Sequence, residues 1–472
     1  MADSATPNYN LSLPEVGASK GSWGGKLNNN FTAIDSNLSE TASVSAKAKK
    51  NAGPTPFDFG AVNDGVADDA PAIQAAMNAV AAQGGGAVFF PATGKPYIIG
   101  AKLLHDTKVS LKGHAGKAEL RAKAGLADTM IETREWATLV AAGTSAAGGS
   151  QSFVFDDLLI DCNRAQNGAD TTQRGDGILL YGRDFTLRNV TVKDAPRHGI
   201  RCSYVNASGA FGTSPYHANL ENFTIDVCGG TGIIWQISDS NWHSVNIASP
   251  GQLDDNMHDA VKIERLVRWT NGAIWKKGNS TFNHRYGINN TSAGCAISGV
   301  NIETAKTAAV LTTGAHCRFD IYSYNILGEY HFINSGNYNS ARITAQKSTL
   351  GGVATVVLNS GLKNRFFVLS ASEFSMFKAD GGNHNIYEGY GYVGNSTPVT
   401  GIPGRYDTVK IIADRGNDSR IVNQIGAAED KGPTSSRPSY GPVSVGTYFD
   451  TTIGKPIWWT GTKWIDANGA TV

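Results

Sequence analysis

Four short stretches place a polar side chain just ahead of a small residue and a β-branched or apolar one. They are Asp176 in GDGILL, His198 in RHGIRC, Thr231 in GTGIIW and Asp259 in HDAVKI. If the four segments stack, Asp176 and His198 sit about 5 Å apart at the backbone, near enough to couple their protonation. A histidine beside an aspartate can serve as general acid or base near neutral pH, and the same pair can also be a hydrogen bond that orders two turns. A second cluster, QLDDNMHDAVKIE (252–264), gathers Asp254, Asp255 and Asp259 beside His258. Carboxylates this close push one another's pKa values apart, which is how a glycosidase obtains one acid and one base. A calcium site, here without the EF-hand pattern, and a solvated turn are the competing uses. The third candidate is the outward column Asp161, Lys193, Asp226. Its two aspartates would lie about 10 Å apart, but the lysine between them favours a surface ion ladder.

These residues need a frame, and the sequence repeats one. The segments above alternate with DLLID (157–161), NVTVK (189–193), NFTID (222–226), SVNIA (244–248), GAIWK (272–276) and GVNIE (299–303), whose copies lie about 22 to 33 residues apart. That is the period of a solenoid coil. Each copy alternates with period 2, the mark of a short strand with one buried face. Ile178, Ile200, Ile233 and Val261 should point inward together, as should Leu158/Ile160, Val190/Val192, Phe223/Ile225, Val245/Ile247, Ala273/Trp275 and Val300/Ile302. Only stacked coils can bury such faces, so the expected fold is an all-β parallel β-helix. Asn189 and Asn222, one coil apart, should form a side-chain ladder. The same alternation puts Trp235 and Trp275 in the core. It puts Trp242 and Arg201 outside, where an indole could stack on a sugar and a guanidinium could hold an acidic sugar or a neighbouring carboxylate.

Composition is consistent with this. The chain has 472 residues, 55 of them glycine, and a net charge of +1, which gives no electrostatic case for nucleic acid or anionic membranes as partners. Five cysteines (Cys162, Cys202, Cys228, Cys295, Cys317) fall within the repeats without CxxC spacing and read as small buried hydrophobes. No secretory or membrane-spanning run is present, no metal-ligand set is assigned, and nothing reads as a cofactor motif.

The flanks complete the organisation. Residues 1–50 hold an amphipathic stripe (Leu27, Phe31, Ile34, Leu38) that needs a partner surface, followed by an Ala/Ser/Lys-rich stalk. Within 51–105, FDFGAVNDGVADDAPAIQAAM should form a turn and then a helix capped at Asp69, with Pro71 in its first turn and Ile73, Met77 and Val80 on its apolar face. Residues 106–400 form the β-helix body. Residues 401–472 form a terminal β module whose Tyr448, Phe449, Ile457, Trp458, Trp459 and Trp464 read as core and subunit contacts.

FDFGAVNDGVADDAPAIQAAM, with GGGAVFFP and PYII after it, resembles the opening of the pectate-lyase-like right-handed β-helices, in which this helix plugs the end of the solenoid. NYNLSLPEVGASKGSWGGKLNNNFTAIDSNL resembles the particle-binding leader of bacteriophage tail appendages, and GTYFDTTIGKPIWWTGTKWIDANG resembles the end module of tail fibres and tailspikes. The resemblance to tailspikes implies a homotrimer on the virion, joined to tail or baseplate proteins through the leader and acting on a bacterial surface polysaccharide. RGDGI (174–178) also loosely resembles a motif of polygalacturonase-like hydrolases, although His198 stands where that pattern carries paired aspartates. The expected activity is hydrolysis by Asp176, His198, Asp254, Asp255 and Asp259, with Trp242 and Arg201 binding substrate. Uronate β-elimination with a base such as His198 and a cation such as Arg201 or Lys193 is one alternative. A non-catalytic receptor-binding spike is another.

Overall fold

The computed structural model describes residues 4–5, 12–13, 21, 25–34, 36, 53–114, 116–142, 149–167, 175–202, 216–346, 355–370, 375–380, 384–392, 399–402, 407–414, 419–425, 431–437, 446–460 and 462–472. The repeats stack as the alternation requires. Twelve parallel strands, from Leu103–His105 to Val399–Ile402, make one face of the solenoid. Within it Ile178 pairs with Ile200, Ile200 with Ile233, and Ile233 with Val261. All four are fully buried in a core that continues through every coil.

The rest of each coil belongs to a nineteen-stranded sheet with a bend in it. In the upper coils the bend separates two parallel ladders. From Ser240–Ala248 onward one strand runs through it, pairing at its two ends with Ala218–Glu221 and Thr224–Cys228. One residue per coil turns the corner in the left-handed conformation: Asp157 (φ 53), Asn189 (φ 54), Asn222 (φ 49), Ser244 (φ 54), Asn271 (φ 58) and Gly299 (φ 67). Asn, Asp and Gly tolerate this region best, because their short side chains or missing Cβ relieve the clash that bars other residues. The expected amide contact is present, with Asn222 Nδ2 donating to Asn189 Oδ1 at 2.9 Å.

The plug forms as expected over Ala70–Ala82, with Ile73, Met77 and Val80 buried against the Gly86–Pro91 and Leu103–His105 strands. Asp69 stands at its N-cap, but its carboxylate serves the preceding loop and the strand Tyr97–Ile99, accepting from the N–H groups of Val62 (2.7 Å), Asn63 (3.1 Å) and Ile98 (3.2 Å). Asp68 accepts from Ala70 N–H instead (3.0 Å).

The lower coils carry a second file of buried side-chain amides. Cys317 N–H donates to Asn339 Oδ1 (2.7 Å), Asn339 N–H to Asn364 Oδ1 (2.7 Å), Asn364 N–H to Asn385 Oδ1 (2.9 Å) and Asn385 N–H to Asp407 Oδ1 (2.8 Å). Each coil's side chain thus satisfies the backbone of the coil before it, which removes the cost of an unpaired buried donor at every step.

Residues 25–34 are helical and leave Leu27, Phe31 and Ile34 exposed, so the stripe is not laid on the body; Leu38, the stalk at 41–52 and Arg174 lie outside the described residues. The terminal strands Gly446–Asp450, Lys455–Trp459 and Trp464–Asp466 form an antiparallel sheet around Tyr448, Ile457 and Trp464. All five cysteines are buried and free. No helix among the described residues is long and apolar enough to cross a membrane.

Candidate functional site

The polar residues ahead of the twelve-stranded sheet are seated by the glycines that follow three of them. A Cβ at Gly199 would meet Ile225 at 2.6 Å and the Gly232 carbonyl at 2.7 Å, and one at Gly232 would meet Ala260 O at 2.6 Å and Ile247 at 2.9 Å. These glycines lie over the core, and His198 and Thr231 are placed one residue before them.

Asp176, 0% exposed, accepts the His198 backbone N–H on Oδ1 (3.2 Å) and Arg201 Nε on Oδ2 (2.7 Å). Arg201 stands at the outward position of the next coil's strand, its side chain 16% exposed, and its guanidinium lies 5.0 Å from the ring centroid of Trp136 on the short helix Trp136–Ala142. The indole Nε1 of Trp136 is buried without a hydrogen-bond partner among the described residues. Asp259 repeats the arrangement lower down. It takes a bidentate pair from Arg285 (2.9 and 3.0 Å) and a hydrogen bond from Asn289 Nδ2 (2.8 Å), and Asn289 is the outward residue of the following strand.

Between these two ion pairs lie two imidazoles. His198 Nδ1 accepts the Thr231 N–H at 3.0 Å, so its proton sits on Nε2 and its lone pair is already used. Burial pulls its pKa down to about 4, and Arg197, Arg201 and His258 reinforce that against the pull of Asp176. Gly230 makes room for the ring, since a Cβ there would stand 2.7 Å from Nδ1. His258, half-buried, meets the His198 ring edge-on with centroids 6.4 Å apart. Its pKa is also lowered, first by burial, with Asp254 and Asp259 opposing. Both rings are therefore neutral at pH 7. With Nδ1 occupied, His198 keeps only its Nε2–H to donate, whereas no hydrogen bond from a described residue occupies a ring nitrogen of His258.

The structure brings Asp176, His198, Arg201, His258 and Asp259 into this one network. Asp254 is exposed on the adjoining loop. Asp255 is tied to Lys306 (2.8 Å) and accepts the Asn283 N–H (3.1 Å), and these contacts hold its carboxyl below the usual range against a small cost of burial. Among the described residues no cluster of His, Cys, Asp or Glu has the arrangement to hold a metal ion.

Two tryptophans depart from the alternation. Trp242 is 1% exposed and packs between Trp235 (5.2 Å) and Trp269 (5.4 Å), so it cannot stack on a sugar. Left-handed Ser244 uses one residue to turn the corner, which reverses the in/out parity between Val245 and Trp242. In GAIWK the phase is shifted by one residue: Gly272 pairs with Val245 and Ile274 with Ile247, so Ile274 faces the core and Trp275 is only half-buried. The Asp161 column is an ion ladder. Lys193 bridges to Asp161 (3.3 Å) and Asp194 (3.5 Å), Arg121 to Asp161 (3.4 Å), and Lys277 pairs with Asp226.

Trp136, Arg285 and Asn289 were not among the sequence candidates. For Asn289 a signal existed: Arg201 is three residues after His198 and Asn289 three after Tyr286, the same outward slot one coil beyond the aspartate each serves. Trp136 lies in an insertion between coils, where no period points to it.

Residues 57–233 match a family described as rhamnogalacturonase A/epimerase, pectate lyase-like. The coil architecture is that of a parallel β-helix, and this part of it is similar to the pectate-lyase-like proteins. Among curated proteins, the mannuronan C5-epimerase AlgE5 of Azotobacter vinelandii is 28% identical over 242 residues, 49% of this chain and 23% of that protein. The tail spike protein of Shigella phage Sf6 is 42% identical over 78 residues, 16% of this chain and 12% of that protein. The chain thus spans less than a quarter of the length of each of these relatives. In three dimensions the AlgE6 A-module of A. vinelandii superposes with a TM-score of 0.51 at 16% identity, covering 77% of this chain and all of that one. The tailspike of E. coli bacteriophage HK620 gives 0.52 at 9% identity, covering 76% and 80%. The likeness to phage tailspikes read from the sequence is supported by these matches.

Proposed function

We propose that this chain is a bacteriophage tailspike that binds a bacterial surface polysaccharide and cleaves it on the outer face of the twelve-stranded sheet. The observation that carries the reading is a pair of neutral imidazoles, 6.4 Å apart, set between the Asp176–Arg201 and Asp259–Arg285 ion pairs. That arrangement suits proton abstraction from a uronic acid. His258 takes the proton next to the sugar carboxylate, the bond to the leaving oxygen breaks as a C=C bond forms, and the departing oxygen, hydrogen-bonded by His198 Nε2–H, takes a proton from water to leave as a hydroxyl. Arg201 and Arg285 supply the positive field that stabilises the developing negative charge. Epimerases named for mannuronan, a polymer of uronic acid, are among the relatives, which supports a uronate-containing substrate.

Hydrolysis is the second reading, favoured by one observation: Asp254 is an exposed carboxylate close enough to His258 to act on its charge. It is the less favoured because a glycosidase needs a protonated carboxyl as acid. Asp176 and Asp259 are bound to arginine, and Asp255 is held low by Lys306. In either case the leader is expected to join the spike to tail or baseplate proteins, and the spike to be a homotrimer in solution.

Incubating the purified chain with host capsule or O-antigen tests this. Growth of ultraviolet absorbance from an unsaturated product marks elimination, and new reducing ends without it mark hydrolysis. Binding with neither leaves a non-catalytic receptor-binding spike.

A further inference from the structure

The lower half of the nineteen-stranded sheet presents a second face. By strand register, Arg268 stacks on Ala296, Ala296 on Arg318, Arg318 on Ser340 and Ser340 on Arg365, so an exposed arginine recurs at every second coil. With strands about 4.8 Å apart the file has a repeat of roughly 10 Å. Arg365 pairs with Glu388 at 3.0 Å and stays 63% exposed. Arg268, Arg318 and Arg342 have no ion pair among the described residues, although Asp320 faces outward beside them. Aromatic rings flank the file. Tyr338, 49% exposed, stacks on His316 with centroids 4.7 Å apart and planes 5° from parallel, and Phe367 lies under the Arg342 guanidinium at 5.8 Å.

Unpaired guanidinium groups spaced along a rigid rod suit a ligand that is linear and anionic, while the flanking rings hold cations in place: Tyr338, stacked on His316, carries the Lys363 ammonium 5.2 Å from its centroid, and Phe367 carries Arg342. We propose that this face binds an acidic polysaccharide lengthwise, with one acidic group for each arginine. It is a holding site on a different sheet from the imidazole network. A chain held there stays near the rod while another stretch is processed. Only the bacterial origin of the glycan rests on the tailspike reading; the binding itself does not.

The test uses the full chain with polygalacturonate, alginate and hyaluronan as probes and dextran as the neutral control. The parent is expected to bind at least one acidic polymer and not dextran, with affinity falling as salt rises. Arg268→Ser with Arg318→Ser should weaken binding at least tenfold, with melting temperature and oligomeric state unchanged. His258→Gln should bind as the parent does. Equal affinity in the arginine variant overturns the proposal, as does a parent that binds none of the three polymers. A variant that changes oligomeric state while retaining affinity also overturns it and makes the face a contact between copies. Arginine-dependent binding in a parent that cleaves nothing sinks the cleavage reading and leaves this one standing.

Discussion

Arg201→Met isolates the Asp176 carboxylate, and the structure fixes what should follow. Asp176 is fully enclosed, and Arg201 Nε pairs with it at 2.7 Å. Removing one member of a buried ion pair costs about 3 to 5 kcal/mol, because the remaining charge has neither partner nor water. Arg201 is partly exposed, so some water reaches the gap and the lower end, about 3 kcal/mol, applies. The loss should be local, since neighbouring coils of a solenoid are coupled mainly through their interfaces and open in parts. Amide exchange therefore reads it better than a global melt. His198 N–H donates to Asp176 and Thr231 N–H to His198 Nδ1, so both amides should exchange roughly a hundredfold faster. Asp176→Asn in the same background removes the charge and keeps an oxygen for His198 N–H, and should bring exchange back to within about tenfold of the parent. A single variant that changes exchange less than fivefold, or a double variant no better than the single, would refute the buried-pair argument.

Other consequences follow from the same geometry. Trp136→Ala, which removes the ring over Arg201, should leave the fold intact and raise the substrate concentration needed for half-maximal turnover several-fold. An unchanged value would show that the stacking does not hold Arg201. Trp242→Ala should cost about 3 to 5 kcal/mol as a core cavity, seen in denaturant unfolding, and a loss of glycan binding without loss of stability would contradict its burial. The pH dependence has a definite sign. His198 has a folded pKa of about 4 against an ordinary 6.5, so between these values the unfolded chain takes up a proton that the folded one does not. Stability should fall as pH drops through that window, by up to roughly 3 kcal/mol from this residue. His198→Asn, which can still accept the Thr231 N–H, should flatten the curve. A parent curve that rises toward pH 4 would refute it.

The coil register was legible because period-2 burial leaves little choice. Ile178, Ile200, Ile233 and Val261 fall in register, and Val190/Val192 and Phe223/Ile225 are buried as their alternation demands. What alternation cannot carry is a parity change. Ser244 turns a corner within what reads as one strand, which misplaced Trp242, and GAIWK was read one residue out of phase, since Gly272 and not Ala273 pairs with Val245, which misplaced Trp275. The aspartates could be placed in a file from sequence, but not their partners: Arg201 comes from the next coil's outer face, Arg285 from the residue just before its strand, and the ring over Arg201 from a helix inserted between coils. The histidines show the remaining gap. Spacing puts His198 beside Asp176, yet the contact uses its backbone N–H, and only coordinates reveal that Thr231 occupies its ring nitrogen.

The amide file running from Asn339 to Asp407 has a consequence for how such a rod can change in size. Each side chain caps the backbone of the winding before it, so the Asn339–Asn364 and Asn364–Asn385 joints are chemically the same, and at the last the Asp407 carboxylate stands in for the amide. Excising or duplicating a whole winding would re-form an identical joint and shift everything beyond it by a single strand spacing, whereas adding or losing part of one would leave a donor stranded in the interior. The reach of the rod can therefore be adjusted in discrete steps, without touching the chemistry carried above.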